Sequence, residues 1–116
     1  MTISIGIDLG TTYSCVIHYA SDGSETIIPN PAGGELTPSV VHVSDDGNVT
    51  VGEDAKRMLT EDPGNVIVGI KRQMGKNHPL TYADRTLTPE GVSALILTRL
   101  VEDAAKAAAA GIEQVP

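Results

Sequence analysis

The stretch Ile5-Gly6-Ile7-Asp8-Leu9-Gly10-Thr11-Thr12-Tyr13-Ser14 decides how this chain reads. Residues 3–9 are apolar and β-prone, as in a buried strand, and they carry one carboxylate, Asp8, near the strand's end. A turn of small, donor-rich residues follows at once. Gly10 lets the backbone approach a ligand closely and adopt unusual φ values. Successive N–H groups at Gly10, Thr11 and Thr12 can point into one concavity and hold phosphate oxygens. Asp8 would then stand where it can hold Mg²⁺ through that ion's waters, since Mg²⁺ dehydrates reluctantly. From the spacing alone, a plain β-hairpin with a surface aspartate is the other reading.

Outward from this segment, residues 14–20 read as a second strand and 26–28 as a third. Ser21-Asp22-Gly23-Ser24 marks the turn between them, so the start of the chain predicts an antiparallel meander. Residues 29–38, with three prolines and Gly33-Gly34, read as a loop crossing to a separate unit. Short strands are expected over 40–43 and 49–51, around the turn Asp45-Asp46-Gly47-Asn48. An amphipathic helix is expected over 53–60, with Ala55, Met58 and Leu59 on one side and Asp62-Pro63-Gly64 as its stop. Residues 66–74 predict a strand edge and then a helical turn from Ile70. Residues 80–87 predict two weak strands about Asp84-Arg85.

Thr88-Pro89-Glu90 is a helix start, with a threonine cap, proline at the first helical position and an acid in the first turn. Val92, Leu95, Ile96 and Leu100 then recur at helical spacing. Gly111 is the expected stop, giving an element on the order of 30 Å long.

Composition bounds the function. The chain has 116 residues, 41% hydrophobic and 20% charged, as one ordinary globular domain would. It has neither Phe nor Trp, so its core is expected from Val, Ile, Leu, Met and Ala. A net charge of −7 argues against nucleic-acid binding, which needs clustered Lys and Arg. A local phosphate site built from backbone N–H groups is compatible with that charge. The single cysteine, Cys15, cannot form an internal disulfide, which predicts a reducing compartment. The first residues have no basic region and no long apolar run, so no signal peptide or membrane span is expected and the cytoplasm is. The sequence has no G-x-x-x-x-G-K-[ST] loop, no G-x-G-x-x-G fingerprint, no Cys-x-x-Cys and no His-x-x-x-His, which disfavours those nucleotide folds and zinc. Cys15 reads as a small core residue, His18 and His42 as packed or edge histidines, and His78 as a solvated one. Asp45-Asp46 and Glu61-Asp62 read as turn and helix-end solvation.

Ile5 through Val16, Ile-Gly-Ile-Asp-Leu-Gly-Thr-Thr-Tyr-Ser-Cys-Val, resembles the first phosphate-binding segment of the seventy-kilodalton heat-shock chaperones of the DnaK type. The Asp-x-Gly-Thr part is shared across the actin and sugar-kinase superfamily, while Tyr-Ser-Cys-Val is far more specific. Three further segments agree in order and spacing: Leu36-Thr37-Pro38-Ser39-Val40-Val41, Val51-Gly52-Glu53-Asp54-Ala55-Lys56, and Ile70-Lys71-Arg72-Gln73-Met74-Gly75. The resemblance covers nearly the whole chain. It implies an α/β fold, a ribonuclease-H-like or actin-like ATPase lobe with a small α+β insertion. Residues 1–36 would belong to the lobe, 37–110 to the inserted subdomain and 111–116 to the return.

The resemblance also implies roles. Asp8 would hold hydrated Mg²⁺. Gly10, Thr11, Thr12 and Tyr13 would line the phosphates of ATP or ADP. Lys71 would reach the γ-phosphate and orient the attacking water; read bare, beside Arg72, it is a solvated face. Phosphoryl transfer suits such a set, because it needs positioning and charge neutralisation more than covalent participation. The intact protein is then expected to couple ATP hydrolysis to binding and release of unfolded polypeptide clients, with a J-domain co-chaperone and a nucleotide exchange factor as partners. Nucleic acid and membrane are not expected partners. A sugar or carboxylate kinase of the same superfamily and a non-hydrolysing regulatory paralogue are the alternatives. The sequence departs from the family at Leu36, where an arginine often stands, and in the Pro- and Gly-rich loop 29–35, which suggests a divergent member. The family's second carboxylates, second phosphate loop and adenosine pocket lie further along the chain than Pro116. These 116 residues are therefore expected not to turn over ATP by themselves.

Overall fold

In the computed structural model, which describes residues 4–31, 33–75, 80–82 and 85–109, the opening segment forms the expected meander. Strand β1 (Ser4–Leu9) runs antiparallel to β2 (Tyr13–Tyr19), from Ser4 opposite Tyr19 to Leu9 opposite Ser14. On its other edge β2 pairs with β3 (Glu25–Ile28), from Tyr19 opposite Glu25 to Val16 opposite Ile28.

Register divides this sheet into two faces, because side chains alternate along a strand. Ile5, Ile7, Leu9, Val16 and Ile28 face the core. Asp8, Tyr13 and Cys15 lie on the opposite face, since Asp8 is directly across from Cys15. Cys15 is thus half-buried rather than the core residue expected of it. The run Cys15-Val16-Ile17 is apolar at every position, so its phase was not readable, and pairing with β1 sends Val16 inward instead. His18, on the Val16 face, is buried as expected.

The segment 29–38 is not all loop. Asn30 folds it back on itself: its Nδ2 donates to the Leu36 carbonyl at 3.0 Å, and its Oδ1 accepts from the Gly34 N–H at 3.0 Å. The chain thereby returns alongside β2 and forms β4 (Thr37–Pro38), with Pro38 opposite Tyr13 and Thr37 opposite Ser14. β4 uses the part of the β2 edge that β3 leaves uncovered. A proline is tolerated in so short an edge pairing because it forgoes only one ladder donor.

A second antiparallel sheet has the order β6-β5-β7, built from β5 (Val41–Val43), β6 (Val49–Val51) and β7 (Val66–Ile67). Gly47, at φ 89°, and the Asp46 carboxylate, which accepts from Ser44 Oγ and the Asn48 N–H, close the β5–β6 turn. Helix α1 (Glu53–Glu61) follows, with Glu53 and Asp54 in its positive first turn. Its Ala55 is fully buried against Val40 and Val66, with Met58 beside them. Ile70–Gln73 is a single 3₁₀ turn, the helical turn expected after the strand edge. β8 (Leu80–Tyr82) and β9 (Arg85–Leu87) are the two expected strands, paired antiparallel.

Helix α2 (Pro89–Ala109) starts where the sequence placed it. The Thr88 Oγ1 accepts from the Gly91 N–H at 3.0 Å and the Thr88 carbonyl from the Val92 N–H at 3.0 Å. Its buried stripe, Val92, Ile96, Leu100 and Ala104, packs into one core with Val16, Ile28, Val41, Val43, Val51, Ile67 and Ile70. Burying an aliphatic side chain of this size stabilises by about 1.5–3 kcal/mol. Arg99 ties the helix to the second sheet, donating from Nε to Asp103 Oδ1 at 3.1 Å and from Nη1 to the Val51 carbonyl at 3.2 Å. Gly111, His78 and Asp84 lie outside the described residues.

Candidate phosphate-binding site

The turn between β1 and β2 is tight because Gly10 permits it. A Cβ at position 10 would stand 2.2 Å from the Tyr13 carbonyl oxygen, far inside van der Waals contact. Only glycine fits without moving backbone. The turn is then fastened from the β4 side by Ser39. Its N–H donates to the Thr12 carbonyl at 2.9 Å, and its hydroxyl donates to the Gly10 carbonyl at 2.8 Å. The Ser14 hydroxyl lies 2.8 Å from the same Ser39 oxygen. Both serines are buried.

Thr11, Thr12 and Tyr13 form one wall of a cavity of about 250 Å³. Ser39 and Val40 form its base, Lys56 and Leu59 come from α1, and Val68, Gly69 and Arg72 close the side beyond β7. Two cations therefore share a cavity with the donor-rich turn, in a protein whose net charge is −7. The Lys56 ammonium donates to the Tyr13 hydroxyl at 3.2 Å and lies 5.3 Å from the centre of the Tyr13 ring. That hydroxyl contact, reinforced more weakly by Glu53, raises the Lys56 pKa above its ordinary value, so its charge persists throughout the physiological range.

The expected site residues are distributed as follows. Thr11, Thr12 and Tyr13 line the cavity, and Gly10 shapes the turn behind them. Asp8 is exposed near the end of β1 and projects on the same sheet face as Tyr13; it does not line the cavity. Lys71 is exposed on the 3₁₀ turn and does not line it either, although its neighbours Gly69 and Arg72 do. Opposite Asp8, Cys15 has its thiol pKa raised, first by burial and then by the Asp8 carboxylate, so it is held as the uncharged thiol. Lys56, Arg72 and Ser39 were not singled out from sequence. Each lies within a quoted motif segment, but only the fold brings the three segments to one turn.

The residues fit a phosphate. A small turn that a Cβ at position 10 would obstruct, backed by buried serines and faced by two cations, is the kind of cradle that holds anionic oxygens. Among the described residues no group of three or more acidic, histidine or cysteine side chains could enclose a metal ion.

Comparison with known proteins places the chain in a family. The family model described as "Hsp70 protein" matches residues 4–81. The chain belongs to the Hsp70 family. It is 43% identical over 100 residues to "Chaperone protein DnaK" of Thermotoga neapolitana, and equally to those of Thermotoga petrophila and Thermotoga maritima; each match takes in 86% of this chain. The chain spans 17% of the length of these DnaK relatives. The Hsp70 match takes in β1 through β7, the turn, α1 and Lys71, so the likeness to this family extends well past the Asp-x-Gly-Thr part shared with the kinases. The mixed α/β architecture with several antiparallel sheets is consistent with an Hsp70 ATPase domain. No helix among the described residues is long and apolar enough to cross a membrane.

Proposed function

We propose that this chain is the phosphate-binding opening of an Hsp70 ATPase domain, within a protein that couples ATP hydrolysis to binding and release of unfolded polypeptides. The observation that carries the reading is the Gly10 turn, with Thr11, Thr12 and Tyr13 lining one cavity together with Lys56 and Arg72. In this reading the backbone N–H groups of the turn bind the β- and γ-phosphates of the nucleotide. Arg72 and Lys56 neutralise their charge from the facing wall. Lys71, exposed on the same 3₁₀ turn as Arg72, reaches the γ-phosphate and orients the attacking water. Asp8 holds Mg²⁺ through its waters. The bound ion supplies positive charge to the phosphate oxygens, and ATP or ADP is the ligand.

The same reading assigns 1–36 to a ribonuclease-H-like, actin-like lobe and 37–110 to an inserted small subdomain, in a cytoplasmic protein. Unfolded clients, a J-domain co-chaperone and a nucleotide exchange factor are its partners. Steady-state ATP hydrolysis by the full-length protein tests it. Lys71→Ala should lower turnover by at least about 10²-fold, the scale of removing one charge contact to the transition state. An unchanged rate would remove Lys71 from the mechanism. No hydrolysis by the wild type, with nucleotide still bound, would favour a regulatory, non-hydrolysing member.

A further inference from the structure

We infer that Ser39, supported by Ser14, is the positioning residue that sets the phosphate affinity of the Gly10–Tyr13 turn; the inference deepens the nucleotide reading above and rests on it. The direction of the hydrogen bonds carries the argument. Ser39 Oγ has one proton, and it goes to the Gly10 carbonyl at 2.8 Å. The 2.8 Å contact between the two serine hydroxyls must then have Ser14 as donor and Ser39 as acceptor. The result is a one-way chain, Ser14 O–H to Ser39 O–H to Gly10 C=O. Ser14 is 1% and Ser39 2% exposed, so little solvent competes for these bonds and each polarises the next.

The chain has a consequence for the ligand side of the turn. In a trans peptide the C=O of one residue and the N–H of the next point in opposite directions. No peptide in the described chain is cis. Holding the Gly10 carbonyl on the Ser39 hydroxyl therefore fixes the Thr11 N–H in the opposite direction. Thr11 is a lining residue of the cavity. The Ser39 N–H holds a second point of the same turn through the Thr12 carbonyl at 2.9 Å. Ser39 lines the same cavity but acts in this scheme through the turn: it fixes the orientation of the Gly10–Thr11 peptide, and it directly follows β4, 29 residues from Gly10 in sequence. Preorganised donors bind anions better than donors that must be oriented on binding, because the ordering cost is already met in the free protein.

The experiment is titration of the full-length protein with MgADP and MgATP, read by backbone amide and carbonyl chemical shifts, for the wild type, Ser39→Ala, Ser39→Thr and Ser14→Ala. Ser39→Ala is expected to weaken nucleotide binding by about 10-fold or more, as loss of an orienting hydrogen bond does. It should also move the Gly10 carbonyl and Thr11 amide resonances before any ligand is added. Ser14→Ala leaves the Ser39–Gly10 bond in place and should cost less than Ser39→Ala. Ser39→Thr, which keeps the hydroxyl, should recover most of the affinity. A melting curve for each variant separates lost fold from lost orientation, and Ser14→Ala decides the question should Ser39→Ala unfold. Wild-type affinity in Ser39→Ala, or unmoved Gly10 and Thr11 resonances, would overturn the inference. A full-length wild type that binds neither nucleotide would overturn the nucleotide reading instead. The ligand-free resonances would then decide the clamp by themselves.

Discussion

The carbonyl oxygen of Tyr13 stands 2.2 Å from where a Cβ on Gly10 would be. The obstruction is backbone, not the end of a flexible side chain, so it cannot be relieved by a rotamer change. Gly10→Ala must open the turn and disturb the bonds from Ser39 to the Gly10 and Thr12 carbonyls. The expected loss of stability is about 1–3 kcal/mol, the usual range for overpacking, accompanied by loss of nucleotide binding. Urea denaturation and a MgADP titration check the two effects separately. Full binding in Gly10→Ala would show that the turn has slack the structure does not reveal.

That turn was legible because its chemistry is local: an aspartate, a glycine and two threonines in five residues. The helix start at Thr88-Pro89-Glu90 was legible for the same reason. What the sequence hid was non-local. The two-residue strand β4 has no periodicity to betray it, and Asn30 rather than any apolar pattern returns the chain to β2. Lys56 meets Tyr13 across 43 positions. Asp62 was read as a solvated helix end, yet it accepts from His42, which is 20 positions away. The likeness of whole segments to a family named the site before any contact was known, but only the fold brings Arg72, Lys56 and Ser39 to the same turn.

Lys56 offers a contrast between binding and stability. Its ammonium is exposed, so solvent and salt screen its contact with Tyr13. Lys56→Met should leave the melting temperature essentially unchanged and weaken MgATP binding by about 10-fold at low salt, with the deficit shrinking as ionic strength rises. Calorimetric titration at two salt concentrations measures this. An affinity equal to wild type at low salt would exclude Lys56 from the phosphate wall.

The α2 cap and stripe give predictions on fold alone. Thr88→Ala removes the acceptor of the Gly91 N–H and should cost about 1 kcal/mol, as loss of an N-cap does. Leu100, 1% exposed in the main core, should cost about 2–5 kcal/mol on truncation to alanine. Leu97, three positions earlier and 37% exposed, should cost clearly less than Leu100. Chemical denaturation of the three variants ranks them. A Leu97→Ala loss equal to that of Leu100→Ala would mean that α2 is rotated from the orientation described.

The pair His42–Asp62 makes stability depend on acid. His42 Nε2 lies 2.9 Å from Asp62 Oδ2 and ties β5 to the end of α1, while Asn65 Nδ2 donates to the same carboxylate oxygen at 3.1 Å. The His42 contact, followed by that of Asn65, lowers the Asp62 pKa below its ordinary value. A carboxyl group that is more acidic in the folded chain than in the unfolded one binds fewer protons when folded. Its contribution is complete above the unfolded value, near 3.9 for an aspartate, and is lost as pH falls through the lower folded value. The wild type should therefore lose stability from this pair below about pH 4, and Asp62→Asn should be less stable at neutral pH with a shallower decline in acid. Melting temperatures from pH 7 down to pH 3 for the two proteins test the linkage. Parallel curves would mean that Asp62 titrates alike in the folded and unfolded chains and that the 2.9 Å contact contributes nothing to folding.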